Sequence, residues 1–305
     1  MNLVIMKRIT PIQGLTLFFL IGLFILVLFF RNELPLWRSL IFRYAVWMGL
    51  LLALKLASDR GSGRLGPRFN DFSPILFIVL IYQSLGDLIQ YLHPDIDPVL
   101  IRTDFFIFGV HPTVWMERWI VPWLTDLLSL AYASYYFLPI VLGTTLYLKN
   151  PKRDFELAVF VLLLGFYASY IGYILFPAIG PRFTLAHLQA VPLGGSVITD
   201  FIRDTLNTLE HNKRDCMPSG HTQVALEVLF LSYRYRRLLF YILLPVATGL
   251  ILSTVYLRHH YVIDLFAGAS LAVVCILIGP RLYKAWNRHT LSRRTRTEDE
   301  VKKQS

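Results

Sequence analysis

The chain has 305 residues, 55% of them hydrophobic and only 16% charged, with a mean hydropathy of +0.53 and a formal net charge of +10. That balance excludes an ordinary soluble domain and fits a multi-span membrane protein. The basic residues stand in clusters between apolar runs, which reads as loop anchoring at a bilayer and not as nucleic-acid binding. The two cysteines, Cys216 and Cys275, form no disulfide framework and no zinc-type spacing, and Cys275 lies inside an apolar run.

A membrane helix needs about 20 mostly apolar residues. Eight stretches meet that description in chain order: 12–30, 37–57, 73–92, 126–148, 155–176, 219–233, 237–257 and 262–283. The expected fold is all-α, a polytopic membrane helix bundle of about eight transmembrane helices. The first stretch follows Lys7 and Arg8, so a signal peptide is its rival reading. Arg31-Asn32-Glu33, not a small-residue cleavage site, follows Phe30, which favours an uncleaved span. The sixth stretch is short, and its outer end is expected below the membrane surface.

Charge sets the orientation. With the N-terminus inside, the inner segments carry 20 of the 30 Lys and Arg residues and the outer segments 9. Both termini are therefore expected in the cytoplasm, with Arg182, His221 and His260 together on the outer face. Two long outer connections follow from the same count. Segment 93–124 holds Trp115, Trp119 and Trp123 every four residues, which predicts an interfacial helix at headgroup level; His111 reads there as a loop histidine. Segment 177–218, bent by Pro177, Gly180-Pro181-Arg182 and Gly194-Gly195, is expected to cover a pocket.

The chemistry concentrates between Cys216 and Asp264. In Pro218-Ser219-Gly220-His221 the serine is a strong N-cap, and the free N–H groups of a helix start suit a phosphate. His221 then falls in the first helical turn. His260 and Asp264 are i and i+4, neighbours on one helical face. A carboxylate bonded to one imidazole nitrogen fixes the tautomer and frees the other nitrogen as a nucleophile. Arg182 can grip phosphate bidentately or anchor to headgroups at a span end. Arg258 is a further candidate phosphate ligand, whereas His259, next to the nucleophile, is expected to point elsewhere. Glu227, in the middle of the sixth stretch, and Tyr132, Tyr135, Tyr136, Tyr167 and Tyr170 read as packing and hydrogen-bonding groups.

These motifs resemble the type-2 phosphatidic acid phosphatase superfamily of membrane lipid phosphatases, over about 73–283. Pro218 to His221 matches its second signature block, and His260 and Asp264 match the third in register. The family's arginine falls on Thr254, with Arg258 as its candidate replacement. The first block is replaced by Phe176-Pro177-Ala178-Ile179-Gly180-Pro181-Arg182. That form, with Asp104 to Pro112, resembles the inositol phosphorylceramide synthase-like branch. The resemblance implies a six-helix phosphatase or phosphotransferase-like core over 73–283; hydropathy and charge add two N-terminal spans over 1–72 and a basic cytoplasmic tail over 284–305.

The reaction expected is phosphoryl transfer on a lipid phosphate or diphosphate. His260 is the nucleophile, His221 the general acid and then base, and Asp264 the orienting acid. Arg182, Arg258 and the N–H groups near Ser219 and Gly220 stabilise the phosphoryl oxygens. No cofactor and no metal is expected, although His259, His260 and Asp264 are spaced closely enough to suggest a metal site. Water as acceptor makes a phosphatase; a polyol such as inositol makes a transferase. The competing class is a lipid-phosphate transporter that binds without turnover, for which matching interrupted spans are missing. Short tails point to a bacterial inner membrane.

Overall fold

The computed structural model describes residues 9–60, 65–209 and 212–304. Lys7, Arg8 and Arg64, which enter the charge count, lie outside the described residues. The helices are α1 (Pro11–Phe29), α2 (Trp37–Arg60), α3 (Leu65–Leu85), α4 (Asp97–Phe108), α5 (Pro112–Trp115), α6 (Pro122–Ala133), α7 (Leu138–Lys149), α8 (Lys152–Leu175), α9 (Pro181–Thr184), α10 (Val197–Leu209), α11 (Gly220–Tyr235), α12 (Arg237–Tyr256) and α13 (Val262–Gln304). Short 3-10 turns join several of them, and no strand occurs among the described residues.

Among the described residues six segments are long and apolar enough to cross a membrane: they fall in α1, α2, α8, α12 and α13, and from α3 on through the following 3-10 turn to Tyr91. The other two predicted stretches differ from straight spans. The fourth is α6 and α7, bent by 49° at a break. Pro139 stands at the start of α7. It has no N–H to continue the ladder, and its ring would collide with the carbonyl four residues back. The sixth is α11, whose 16 residues rise about 24 Å, short of a hydrocarbon core of about 30 Å. The last helix outruns its span: α13 continues unbroken from Val262 to Gln304, while the candidate span is Val262–Asn287.

The tryptophan segment is not one helix. α5 ends at Trp115, a 3-10 turn holds Met116–Trp119, and Val121 is extended before Pro122. A residue preceding proline is driven out of the helical region. Trp115 and Trp119 meet edge to face at 4.5 Å, and Trp123 belongs to α6.

The chain forms two compact units, one of residues up to Val79 with those from Ile276 onward, the other of Leu80–Cys275. In the first, α1 packs on α2. Thr10 and Gln13 form a capping box at the start of α1, and Gln13 Nε2 donates to Asn70 at 2.6 Å. In the second, α11 packs against α12, α8 and α7. Its face toward α8 is polar: Gln223 Nε2 donates to Glu227 at 3.2 Å and Gln223 also bonds Ser169. Glu227 is fully buried there, and Gln223 joins the two helices through Ser169.

Candidate active site

α11 begins where the sequence puts its cap. Ser219 is extended and its hydroxyl accepts from Thr222 N–H at 3.3 Å. His221 lies in the first turn. The second histidine comes from the tight turn between α12 and α13. The N–H groups of His259 and His260 both donate to the Thr254 carbonyl, at 2.8 and 3.0 Å. Arg258 between them and α12 adopts φ +63°, the left-handed region.

The two histidines meet. His260 Nδ1 lies 2.8 Å from the Cys216 carbonyl oxygen, and His260 Nε2 lies 3.2 Å from His221 Nδ1. A carbonyl only accepts, so Nδ1 of His260 carries the hydrogen and Nε2 the lone pair. The 3.2 Å contact is then a donation from His221 to His260. The remaining nitrogen, His221 Nε2, is buried without a hydrogen-bond partner. Arg182, His221 and His260 line one cavity of 480 Å³, together with Tyr132, His259, Lys213 and Asp215.

Asp264 stands behind this pair and not directly on it. Its Oδ2 accepts from Tyr261 N–H at 2.9 Å and from the Cys216 thiol at 2.8 Å, and lies 3.5 Å from His260 Nδ1. The expected i, i+4 pair does approach, at 3.5 Å, but not along one helical face, because α13 starts only at Val262 and His260 precedes it. Cys216 is the residue sequence reasoning overlooked: its N–H donates to Ala178 O at 3.2 Å, its carbonyl holds His260 and its thiol holds Asp264. Burial, and then the neighbouring Asp264 charge, hold the Cys216 thiol well above its usual pKa, so it remains a donor. Cys216, His260 and Asp264 present ligand-type atoms within 4.8 Å of one another. A protonated thiol hydrogen-bonded to the carboxylate, and an Nδ1–H turned to a carbonyl, do not fit a metal ion.

The phosphate-ligand candidates divide. Arg182 reaches the cavity from α9, after Gly180 at φ +88°, a conformation that favours glycine. A side chain at 180 would also run into the His259 carbonyl oxygen, at 2.6 Å. Arg258 does not line the cavity. The left-handed turn sends it the other way, where Nη2 pairs with Glu117 at 2.8 Å and donates to Val191 O at 2.5 Å. Ser219 and Gly220 also lie off the cavity wall. The Ser219 N–H, expected to meet phosphate, donates to the Asp264 carbonyl at 3.1 Å.

His259 does face the cavity, because residues 257–261 are not helical. Tyr132 stacks on both His221 and His259, with ring centroids 4.6 and 4.3 Å away. Burial first, then the Arg182 charge, push His259 well below the ordinary histidine pKa, so it is neutral. Asp215 is pushed up by burial, against the 2.5 Å hydrogen bond that it accepts from the Tyr82 hydroxyl.

Helices of this length and apolarity, carrying a histidine pair at one cavity wall, define a polytopic membrane protein with a histidine-based site. The sequence model of the PAP2 superfamily matches residues 71–278, and the chain belongs to that superfamily. It is also 25% identical over 175 residues to a PA-phosphatase related-family protein of Dictyostelium discoideum, covering 51% of this chain and 32% of that relative. The chain thus matches about a third of that curated relative's length. No solved structure matches it.

Proposed function

We propose that the protein is an integral-membrane lipid phosphatase or phosphotransferase that works through a phosphohistidine on His260, at the extracytoplasmic face. The observation that carries this reading is the 3.2 Å contact of His260 Nε2 with His221 beside Arg182 in one cavity. His260 Nε2 attacks phosphorus, forming the P–N bond as the bond to the leaving oxygen breaks. As the substrate enters, the His221 Nδ1–H leaves the His260 lone pair, and His221, carrying on Nε2 a proton taken up from the substrate phosphate, gives that proton to the leaving oxygen. Arg182 and Lys213 neutralise the phosphoryl oxygens. The Cys216 carbonyl retains the His260 Nδ1 hydrogen throughout, and Asp264 offsets the charge on the imidazolium. The acceptor oxygen then attacks phosphorus, the P–N bond breaks, and the acceptor's proton goes to His221.

The Gly180-Pro181-Arg182 form of the first block, which resembles the inositol phosphorylceramide synthase-like branch, favours a polyol such as inositol as acceptor. The test is turnover of a panel of lipid phosphates and diphosphates by purified protein in EDTA, with and without inositol or glycerol. Free phosphate makes it a phosphatase, and product formed only with the polyol makes it a transferase. Lipid binding with no turnover under any of these conditions would reject the enzyme and favour a transporter.

Gly268 gives a second check. A Cβ there would run into the Ser219 carbonyl oxygen, with the carbonyl carbon at 3.2 Å, so α13 and the start of α11 must move apart. Since a displacement of about 1 Å costs on the order of 100-fold in rate, Gly268→Ala is expected to lower kcat roughly 10- to 100-fold in protein that remains folded by size-exclusion chromatography.

A further inference from the structure

We propose that α4 is an interfacial helix that lies in the plane of the membrane surface, with its phenylalanine face in the lipid and its aspartate face holding both loops of the site. This goes beyond the enzymatic reading and does not depend on it.

The inner face is defined by hydrogen bonds. Asp97 accepts from the N–H groups of Ile179 and Gly180, at 3.0 and 2.9 Å, just before Arg182. It also accepts from the Tyr261 hydroxyl at 2.8 Å. Two turns later Asp104 accepts from the N–H groups of Val262 and Ile263, at 2.8 and 2.9 Å, which begin α13 just after His260. Asp97 and Asp104 are both buried, 2% and 1% exposed. One 12-residue helix thus secures the chain on either side of the cavity, and its acids are consumed inward.

The outer face is apolar. Val99 is 60% exposed and Phe106 89%, seven residues apart and therefore on one side of the helix. Phe105, Ile107 and Phe108 widen that surface at the helix end. With the acids turned inward, Arg102 is the remaining charged group of α4. Exposed Arg102, three residues after Val99 and four before Phe106, stands on that same side, and an apolar face carrying one cation suits the boundary between acyl chains and headgroups.

Chain continuity supplies the occupant. The candidate span that contains most of α3 ends at Tyr91, and the bent α6–α7 pair begins at Pro122. The connection between them starts and finishes at one membrane surface. At about 1.5 Å per residue, α4 measures about 18 Å and cannot cross a hydrocarbon core of about 30 Å. A helix confined to that surface with an exposed phenylalanine face buries it in lipid. Trp115, Trp119 and Trp123, all exposed, follow in the same connection and continue the aromatic belt.

The test places a nitroxide at Phe106→Cys, and separately at Val99→Cys, in protein reconstituted into phosphatidylcholine–phosphatidylglycerol vesicles. Both native cysteines are buried, so the label goes to the new site. Power saturation then compares collision with oxygen, which concentrates in lipid, and with a water-soluble nickel chelate. The proposal expects oxygen to exceed the chelate at both positions. Chelate exceeding oxygen would place the face in water and overturn it. Low accessibility to both would show the face covered by protein, such as a second copy of the chain, and would overturn it equally.

Discussion

Replacing His260 with Gln is expected to lower turnover of a lipid phosphate by about 1,000-fold or more, since glutamine keeps a polar side chain but offers no nucleophilic nitrogen. The loss belongs in kcat. Arg182 and Lys213 line the cavity independently of His260, so substrate binding persists. The accompanying signature is chemical. Wild-type protein mixed with phosphate-labelled substrate and quenched should carry a label stable in alkali and lost in acid, as a phosphoramidate is. His260→Gln should carry none. His221→Ala should slow both steps while leaving the nucleophile in place, so a good leaving group should still label it. A label of unchanged amount in His260→Gln would remove the nucleophile from this residue.

The second large effect concerns stability. Arg258 and Glu117 form a pair whose side chains are only 8% and 10% exposed. Burial pulls the Arg258 pKa down, and the Glu117 charge opposes that shift. Glu117→Ala leaves the guanidinium buried with the Gln189 oxygen at 3.2 Å and the Val191 carbonyl, neither of which carries charge. Breaking a buried pair from one side costs about 3–5 kcal/mol. The expected result is a clear fall in the thermal midpoint in detergent. Replacing both partners, Glu117→Leu with Arg258→Met, should recover most of that loss, because no uncompensated charge remains. If the single variant melts with wild type, the pair contributes nothing and the Arg258 turn is held by its backbone alone.

Hydropathy located the six candidate spans, and the bent α6–α7 pair as a seventh, because a span is a local property of some 20 consecutive side chains, whereas the stretch at α11 is helical but too short to cross. The cap at Ser219 and the histidine in the turn after it were equally legible, since capping acts over three residues. The break before Pro139 was legible in principle, because proline carries its own steric consequence. What eluded local reading depends on the turn at Leu257–Tyr261. It contains no glycine or proline to announce it, yet Arg258 takes a left-handed φ. That one backbone angle turns Arg258 toward Glu117 and lets His259 face the cavity beside His260, reversing both expectations.

The remaining partners lie far apart in sequence. Cys216 meets His260 across 44 residues and Asp264 across 48, and Asp97 meets Tyr261 across 164. Helical periodicity carries no information over such separations. The sequence by itself determined a bundle of apolar helices and the two histidine motifs, because hydropathy, capping and charge bias act within a span and its flanks. Only the tertiary structure decided that a cysteine carbonyl, and not Asp264, is the nearest partner of His260, because a hydrogen bond needs its two atoms within about 3 Å. That proximity is created by packing α11 against α12 and by the turns that Asp97 and Asp104 secure.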